Sequence, residues 1–218
     1  MVMFKTSFFS KSTLFLVASI LSVSAMALDS NQTQQLANQG DSEAQITLGI
    51  MYQDGLDVRQ DYAKAVEWYI KAANQGNVNS QLNLGTMYYF GEGVRQDYAK
   101  AVEWYTKAAN QGNVNAQYNL GVAYDAGKGV RQDNAKAVKW YRKAADQGDA
   151  KAQYNLAMMY RKGEGVRQDY AKAVEWYKKA AEQGLVNAQY DLGVAYYDGK
   201  GVRQDYTKAV EWHTKAAN

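Results

Sequence analysis

Apolar residues in this chain take helical spacing, stop at glycine, and take it up again. Between Val78 and Asn113, Ser80, Leu84, Gly85 and Tyr88 lie at i, i+4, i+5 and i+8, which is one helix face. Asn77 precedes this face and can cap it with a side-chain oxygen. Gly91-Glu92-Gly93 ends it and supplies the backbone freedom for a reversal. A second face follows, with Ala101, Trp104, Tyr105, Ala108 and Ala109 at i, i+3, i+4, i+7 and i+8. Asp97 stands ready to cap it, Gly112 stands at the C-terminal cap position, and Asn113 can cap what comes next. The pattern predicts an antiparallel helix pair. Gly85 lets a neighbouring helix approach, and a large aromatic pair sits among small alanines on the second helix.

The pair then recurs. Val-Arg-Gln-Asp opens at Val58, Val94, Val130, Val166 and Val202, each inside the same longer phrase. A spacing of 36 residues means a solenoid of stacked units, because one pair cannot bury both of its faces alone. Five copies span 42–77, 78–113, 114–149, 150–185 and 186–218. Leu36 to Gly40 lies one period before Ala72 to Gly76, so 28–41 is expected to hold a degenerate capping helix. No extra polar helix follows the fifth pair, which makes the C-terminal face a candidate contact surface.

Residues 1–27 are a different text. Lys5 and Lys11 precede or flank an apolar run from Thr13 to Leu21, and Ala25-Met26-Ala27 has the small-x-small form of a cleavage site. This reads as a secretory signal peptide cut after Ala27, its apolar run too short to span a bilayer. The remainder is expected to be periplasmic or secreted, with no stable membrane span. The formal net charge of +3 falls close to neutral once Lys5 and Lys11 leave. Basic and acidic residues alternate throughout, so no basic stripe for nucleic acid is evident.

The chain has no cysteine and no proline, and its single histidine is His213. A zinc site of ordinary nitrogen and sulfur ligands cannot be assembled, and no metal or cofactor is expected. Ser30, Ser42 and Ser80 are the serines after the leader, and none is followed by lysine three residues on. The serine elbow and the H-E-x-x-H pair are missing too. His213 lacks an evident partner for general-base work. No catalytic residues are proposed, and the chain is read as a binding protein.

The phrases A-Q-Y-N-L-G-V-A-Y at 116–124, G-K-G-V-R-Q-D at 127–133 and W-Y-R-K-A-A-D-Q-G at 140–148 closely resemble the Sel-one-like repeat family, a branch of the tetratricopeptide-like solenoids. The resemblance implies an all-α right-handed superhelix, about ten main helices, and an adaptor that binds a protein or peptide. Cell-wall binding or a β-lactamase-like hydrolase, and a secreted host-interaction factor, are the alternatives it brings, with peptidoglycan or a host protein as partner. Members linked to β-lactamase activity carry a disulfide in each repeat, and this chain has none. A second departure is Arg59, Arg95, Arg131, Arg167 and Arg203, where the family often has proline.

Positions that change from copy to copy are where a particular partner could be read. One row just after the first-helix tyrosine runs Gln53, Tyr89, Asp125, Arg161, Tyr197, and the next holds Asp54, Phe90, Ala126, Lys162, Asp198. In tetratricopeptide-like folds the first helices line the concave groove. If so, Asn83, Asn119, Asn155 and Asp191 would sit along it, beside Tyr118, Tyr154 and Tyr190. Asparagine can donate to and accept from a peptide backbone at once. The competing reading is that these asparagines solvate an exposed helix face. The Trp-Tyr pairs at 68–69, 104–105, 140–141 and 176–177 read as core. Val-Arg-Gln-Asp reads as loop closure and capping. A ladder of arginines for a polyanion is the sharper reading, and the nearby acids argue against it.

Overall fold

A computed structural model describes residues 30–217, so the leader lies outside the described residues. Among them are eleven α-helices and no strand. Helix α1 (Ser30–Asn38) comes first. The first helix of each unit, the A helix, is α2 (Ser42–Asp54), α4 (Val78–Phe90), α6 (Val114–Ala126), α8 (Ala150–Lys162) or α10 (Val186–Asp198). The second, the B helix, is α3 (Tyr62–Asn74), α5 (Tyr98–Asn110), α7 (Asn134–Asp146), α9 (Tyr170–Glu182) or α11 (Tyr206–Ala217). Each helix packs on the one before and the one after, and α1 packs on α2. This is the all-helical solenoid the period demands. Beyond consecutive neighbours α6 touches α8, so A helices of successive units meet along the face called inner from here on. No described helix is long and apolar enough to cross a membrane.

Local chemistry sets the helix limits. Asn77 Oδ1 accepts from the Ser80 amide at 2.9 Å, and Asp97 Oδ1 from that of Lys100 at 3.0 Å. Gly91 closes α4 at φ 75°, in the left-handed region that glycine enters without penalty. At the end of α5 the cap is Gln111, and Gly112 stands one residue beyond it. There the Gly112 amide donates to Ala109 and the Asn113 amide to Ala108, a Schellman closure. Asp57, in place of a loop glycine, takes φ 57°. Leu185 gives α10 no side-chain cap, and its side chain packs onto the core at the junction.

The core repeats as the helices do. A methyl group at Gly85 would meet the Tyr105 ring at 2.6 Å, and one at Gly121 would meet Tyr141 at 2.4 Å. So the A helix gives way where the B-helix tyrosine lies across it. Tyr69, Tyr105, Tyr141 and Tyr177 are all buried. Ala157, which carries a methyl at this position, is buried in the same cluster as Tyr177. Loops stack as well: a side chain at Gly93 would strike the Tyr62 carbonyl at 2.3 Å, so each loop lies on the start of the preceding B helix.

An amide ladder, not foreseen from the sequence, ties the units together. Gln81 Nε2 donates to the Ala73 carbonyl at 3.2 Å, and Gln81 Oε1 accepts from Gln111 Nε2 at 2.8 Å. Gln45, Gln117 and Gln153 repeat both bonds, and Gln189 repeats the first. All five of these glutamines are buried. Buried polar groups stay inside only when paired, so each junction is held in one register.

Candidate functional site

The B-helix tyrosines do more than fill the core. The hydroxyls of Tyr69, Tyr141 and Tyr177 meet side chains of the A helix of their own unit and of the next, while that of Tyr105 meets its own unit alone. Tyr69 donates to Gln53 Oε1 at 2.7 Å, and Asn83 of the next unit faces the same hydroxyl. Tyr141 donates to Asp125 Oδ2 at 3.3 Å and is faced by Asn155. Tyr177 lies between Arg161 and Asp191 and donates to Met158 Sδ at 3.0 Å. Tyr105 donates to Thr86 Oγ1 at 3.3 Å. Two rows that look separate in the sequence, the mid-helix amides and the changing residues after the A-helix tyrosine, thus converge on one row of hydroxyls.

The other inner tyrosines complete the seam. Tyr118 is half-buried, its ring 6.1 Å from Tyr141, with its hydroxyl facing Asn155. Tyr154 lies 5.7 Å from Tyr177 and donates to Asp191 Oδ2 at 3.1 Å. Tyr190 is 57% exposed and stacks 5.2 Å from His213, the residue that replaces the B-helix tyrosine in the last unit. Asn119 is half-buried, and its side chain has no hydrogen-bond partner among the described residues. The amides at 83 and 155 are therefore not a freely solvated row: they are turned toward hydroxyls.

The changing residues fall into three groups. Tyr89 packs edge-on to Phe90 and to Tyr98, each at 5.0 Å, and its hydroxyl accepts from Lys128 Nζ at 3.1 Å. Phe90 is exposed. Asp125, Arg161 and Lys162 crowd the junctions of the third, fourth and fifth units. Lys162 pairs with Glu164 at 3.6 Å, and both bear on the Asp125 carboxylate. Tyr197 is 58% exposed and lies 5.3 Å from Tyr206. A cleft of about 250 Å³ opens between α9 and α10, lined in part by Arg161, Tyr170, Tyr177, Asp191, Asp198 and Lys200.

Electrostatics follow burial. Burial pushes the Tyr69, Tyr105, Tyr141 and Tyr177 hydroxyls far above the ordinary tyrosine range. Tyr154 is pushed up to about 12, by burial first and then by Asp191. Asp125 is raised by burial above the usual carboxylate range, with Tyr141 and Lys162 pulling the other way. At neutral pH the seam is a line of donating hydroxyls flanked by carboxylate, guanidinium and amide. That arrangement can hold polar and charged groups of a segment laid along it.

The Sel1 repeat model matches this chain at residues 42–77, 78–113, 114–149, 150–185 and 186–218. Among solved structures, a protective antigen present in uropathogenic Escherichia coli strains, with an SLR fold, is 44% identical with a TM-score of 0.84. That match covers 86% of this chain and 40% of the antigen, so the chain spans well under half of that relative. A Sel1 repeat protein from Oxalobacter formigenes is 34% identical with a TM-score of 0.81, over 86% of this chain and 78% of its own. No curated protein matches the chain. Proteins of this repeat type are in general non-catalytic scaffolds for protein interaction. With a matching repeat in each of its five units, the chain belongs to the Sel1 repeat family.

Proposed function

We propose that the protein is an exported scaffold that holds a segment of a protein partner along its inner surface, across the junctions of the third, fourth and fifth units. The observation that carries this is the seam of tyrosine hydroxyls. The B-helix tyrosine shared by the first four units is met in each of them by a different residue: Gln53, Thr86, Asp125 or Met158. A fixed frame with a changing edge suits a partner that is read differently along its length. Asp125, Arg161 and Asp191 set the charge order that an extended segment would complement, and Tyr118 and Tyr154 give it rigid apolar area.

Export rests on the leader, and the description of the 44%-identical relative as a protective antigen supports it. Amino-terminal sequencing of the protein recovered from the producing cells checks this: a chain beginning at Leu28 in the periplasm or medium agrees, and an uncleaved cytosolic chain does not.

The binding reading is tested with a photo-activated cross-linker placed at Tyr118 or Arg161, and in parallel at Lys215 on the outer side. Adducts with one protein, formed from both inner positions and lost in an Asp191→Lys variant, are expected. Equal labelling from Lys215, or labelling unmoved by Asp191→Lys, would overturn it.

A further inference from the structure

Three of the four residues in Val-Arg-Gln-Asp have a structural task in every unit, and the fourth has none. Val58, Val94, Val130 and Val166 pack on the core, and Val202 is half-buried. The glutamines donate from Nε2 to the carbonyls of Gln53, Tyr89, Asp125, Arg161 and Tyr197, each at 2.8 Å. The aspartates cap the B helices. Arg59, Arg95, Arg131, Arg167 and Arg203 are exposed and make no hydrogen bond, ion pair or ring contact with any described residue.

Positions with no task common to every unit drift between copies. The loop residue three before each arginine runs Leu56, Glu92, Lys128, Glu164, Lys200. The arginine, exposed in every unit, stays arginine five times over. The acids beside it are already engaged. Asp61, Asp133, Asp169 and Asp205 take the opening amides of their helices and pair with the lysine three residues on, at 3.4–3.9 Å. The guanidinium is the uncommitted charge. Because each loop lies on the preceding unit, the five of them form a row along one edge of the stack.

We propose that this loop edge binds an acidic polysaccharide lying across the units, one carboxylate to each guanidinium. A guanidinium forks onto a carboxylate through two parallel hydrogen bonds. Units stacked at helix-packing distance place successive arginines roughly 10 Å apart. A nucleic acid strand carries a charge about every 3.4 Å, far denser than the row, whereas a glycan with an acid on alternate sugars is sparse enough to match. Around Arg131 the surface is a shallow depression lined also by Tyr124, Gln132, Asp133 and Lys136, in which the Asp133 carboxylate is paired with Lys136. The arginine side chains make no hydrogen bond or ion pair with the seam residues, so either proposal can fail alone.

The test uses hyaluronan oligosaccharides, which carry one carboxylate per disaccharide, with single-stranded DNA and uncharged dextran beside them. Binding to hyaluronan that weakens as salt rises is expected. Arg95→Gln/Arg131→Gln/Arg167→Gln should weaken it by roughly tenfold or more, with an unchanged melting curve. The same positions changed to lysine should lose several-fold, because charge remains and the fork does not. A control with the same charge change on the tryptophan-covering lysines, Lys107→Gln/Lys143→Gln/Lys179→Gln, should bind as the parent does. No binding at low salt, equal binding by the arginine triple variant, or DNA held as tightly as hyaluronan would each overturn the proposal.

Discussion

At the loop edge all five units carry the same Val-Arg-Gln-Asp, while at the inner surface the residue after the A-helix tyrosine changes from one unit to the next, from Gln53 through Tyr89, Asp125 and Arg161 to Tyr197. Both surfaces are built by the same helix pair. At the loop edge, valine, glutamine and aspartate are each consumed by a bond or contact that every unit needs, so sameness there is mostly mechanical. At the inner surface the B-helix tyrosine is the mechanical part. Its hydroxyl needs only some polar or polarisable neighbour, and glutamine, threonine, aspartate and methionine have all served. Uniformity therefore marks a task only after the mechanical demands are removed. That subtraction leaves the arginines on one side and the seam residues on the other.

The comparison breaks most severely at alkaline pH. Folded Tyr69, Tyr105, Tyr141 and Tyr177 hold their protons well above the ordinary value of 10.0, at which they ionise once unfolded. Their contribution to stability is full below pH 10 and is lost as pH climbs past it. The urea midpoint, followed by helical circular dichroism, should be flat from about pH 8 to pH 9 and should collapse between about pH 10 and pH 12. A midpoint that holds through that range would show that the hydroxyls are not enclosed.

Next in size is the tyrosine itself. Tyr141→Ala empties a fully buried ring site against Gly121 and should cost about 3–5 kcal/mol in denaturant unfolding. A loss under about 1 kcal/mol would mean that the units close over the gap.

The ladder between the surfaces comes third. Gln117→Ala removes two ladder bonds, leaving the Ala109 carbonyl with the Gly112 amide and the Gln147 amide with the Lys143 carbonyl, and should cost about 1–3 kcal/mol. Gln132→Ala, which removes one exposed loop bond, should cost less by the same measurement.

Asp125→Asn should have a smaller effect of opposite sign. Burial raises the carboxyl, so its ionisation opposes folding; the penalty is absent below the ordinary carboxylate range and grows as pH rises through its raised value. The variant should be slightly more stable than the parent at neutral pH and equal to it at acid pH, the gain being blunted by solvent. Melting curves at both pH values check this. Arg131→Gln should shift stability by no more than about 0.5 kcal/mol, since the side chain is exposed and makes no hydrogen bond, ion pair or ring contact with a described residue. A larger loss would give the arginine a structural role and remove it from the uncommitted row.

The helix pairs, their limits and a close helix approach at Gly85 follow from spacing and turn residues alone, because those are local patterns repeated from unit to unit, whereas the ring that fills the approach is seen only in the fold. The seam does not, since it depends on three helices meeting. Tyr141 scans as core from its neighbours Ala137, Ala144 and Ala145, and nothing in one helix says that its hydroxyl will reach Asp125 and Asn155. The glutamine ladder left a trace that could have been used. Gln81 lies three residues before Leu84 on an apolar face, a costly place for an amide without a partner. For Arg131 the sequence misleads, because Asp133 stands nearby in the chain while its carboxylate is already spent on Lys136.

Each ladder bond between side chains spans 30 residues, and each hydrogen bond of Gln75 and Gln111 to a turn carbonyl spans 35. Such reaches fix the increment in which the gene can change. Loss or duplication of one whole unit rejoins every amide to an equivalent partner, and the protein lengthens or shortens without a scar. Any other increment slides buried amides against methyl groups along the following junction. Length in this architecture is therefore counted in whole units, and natural variants of this protein are expected to differ by multiples of its period.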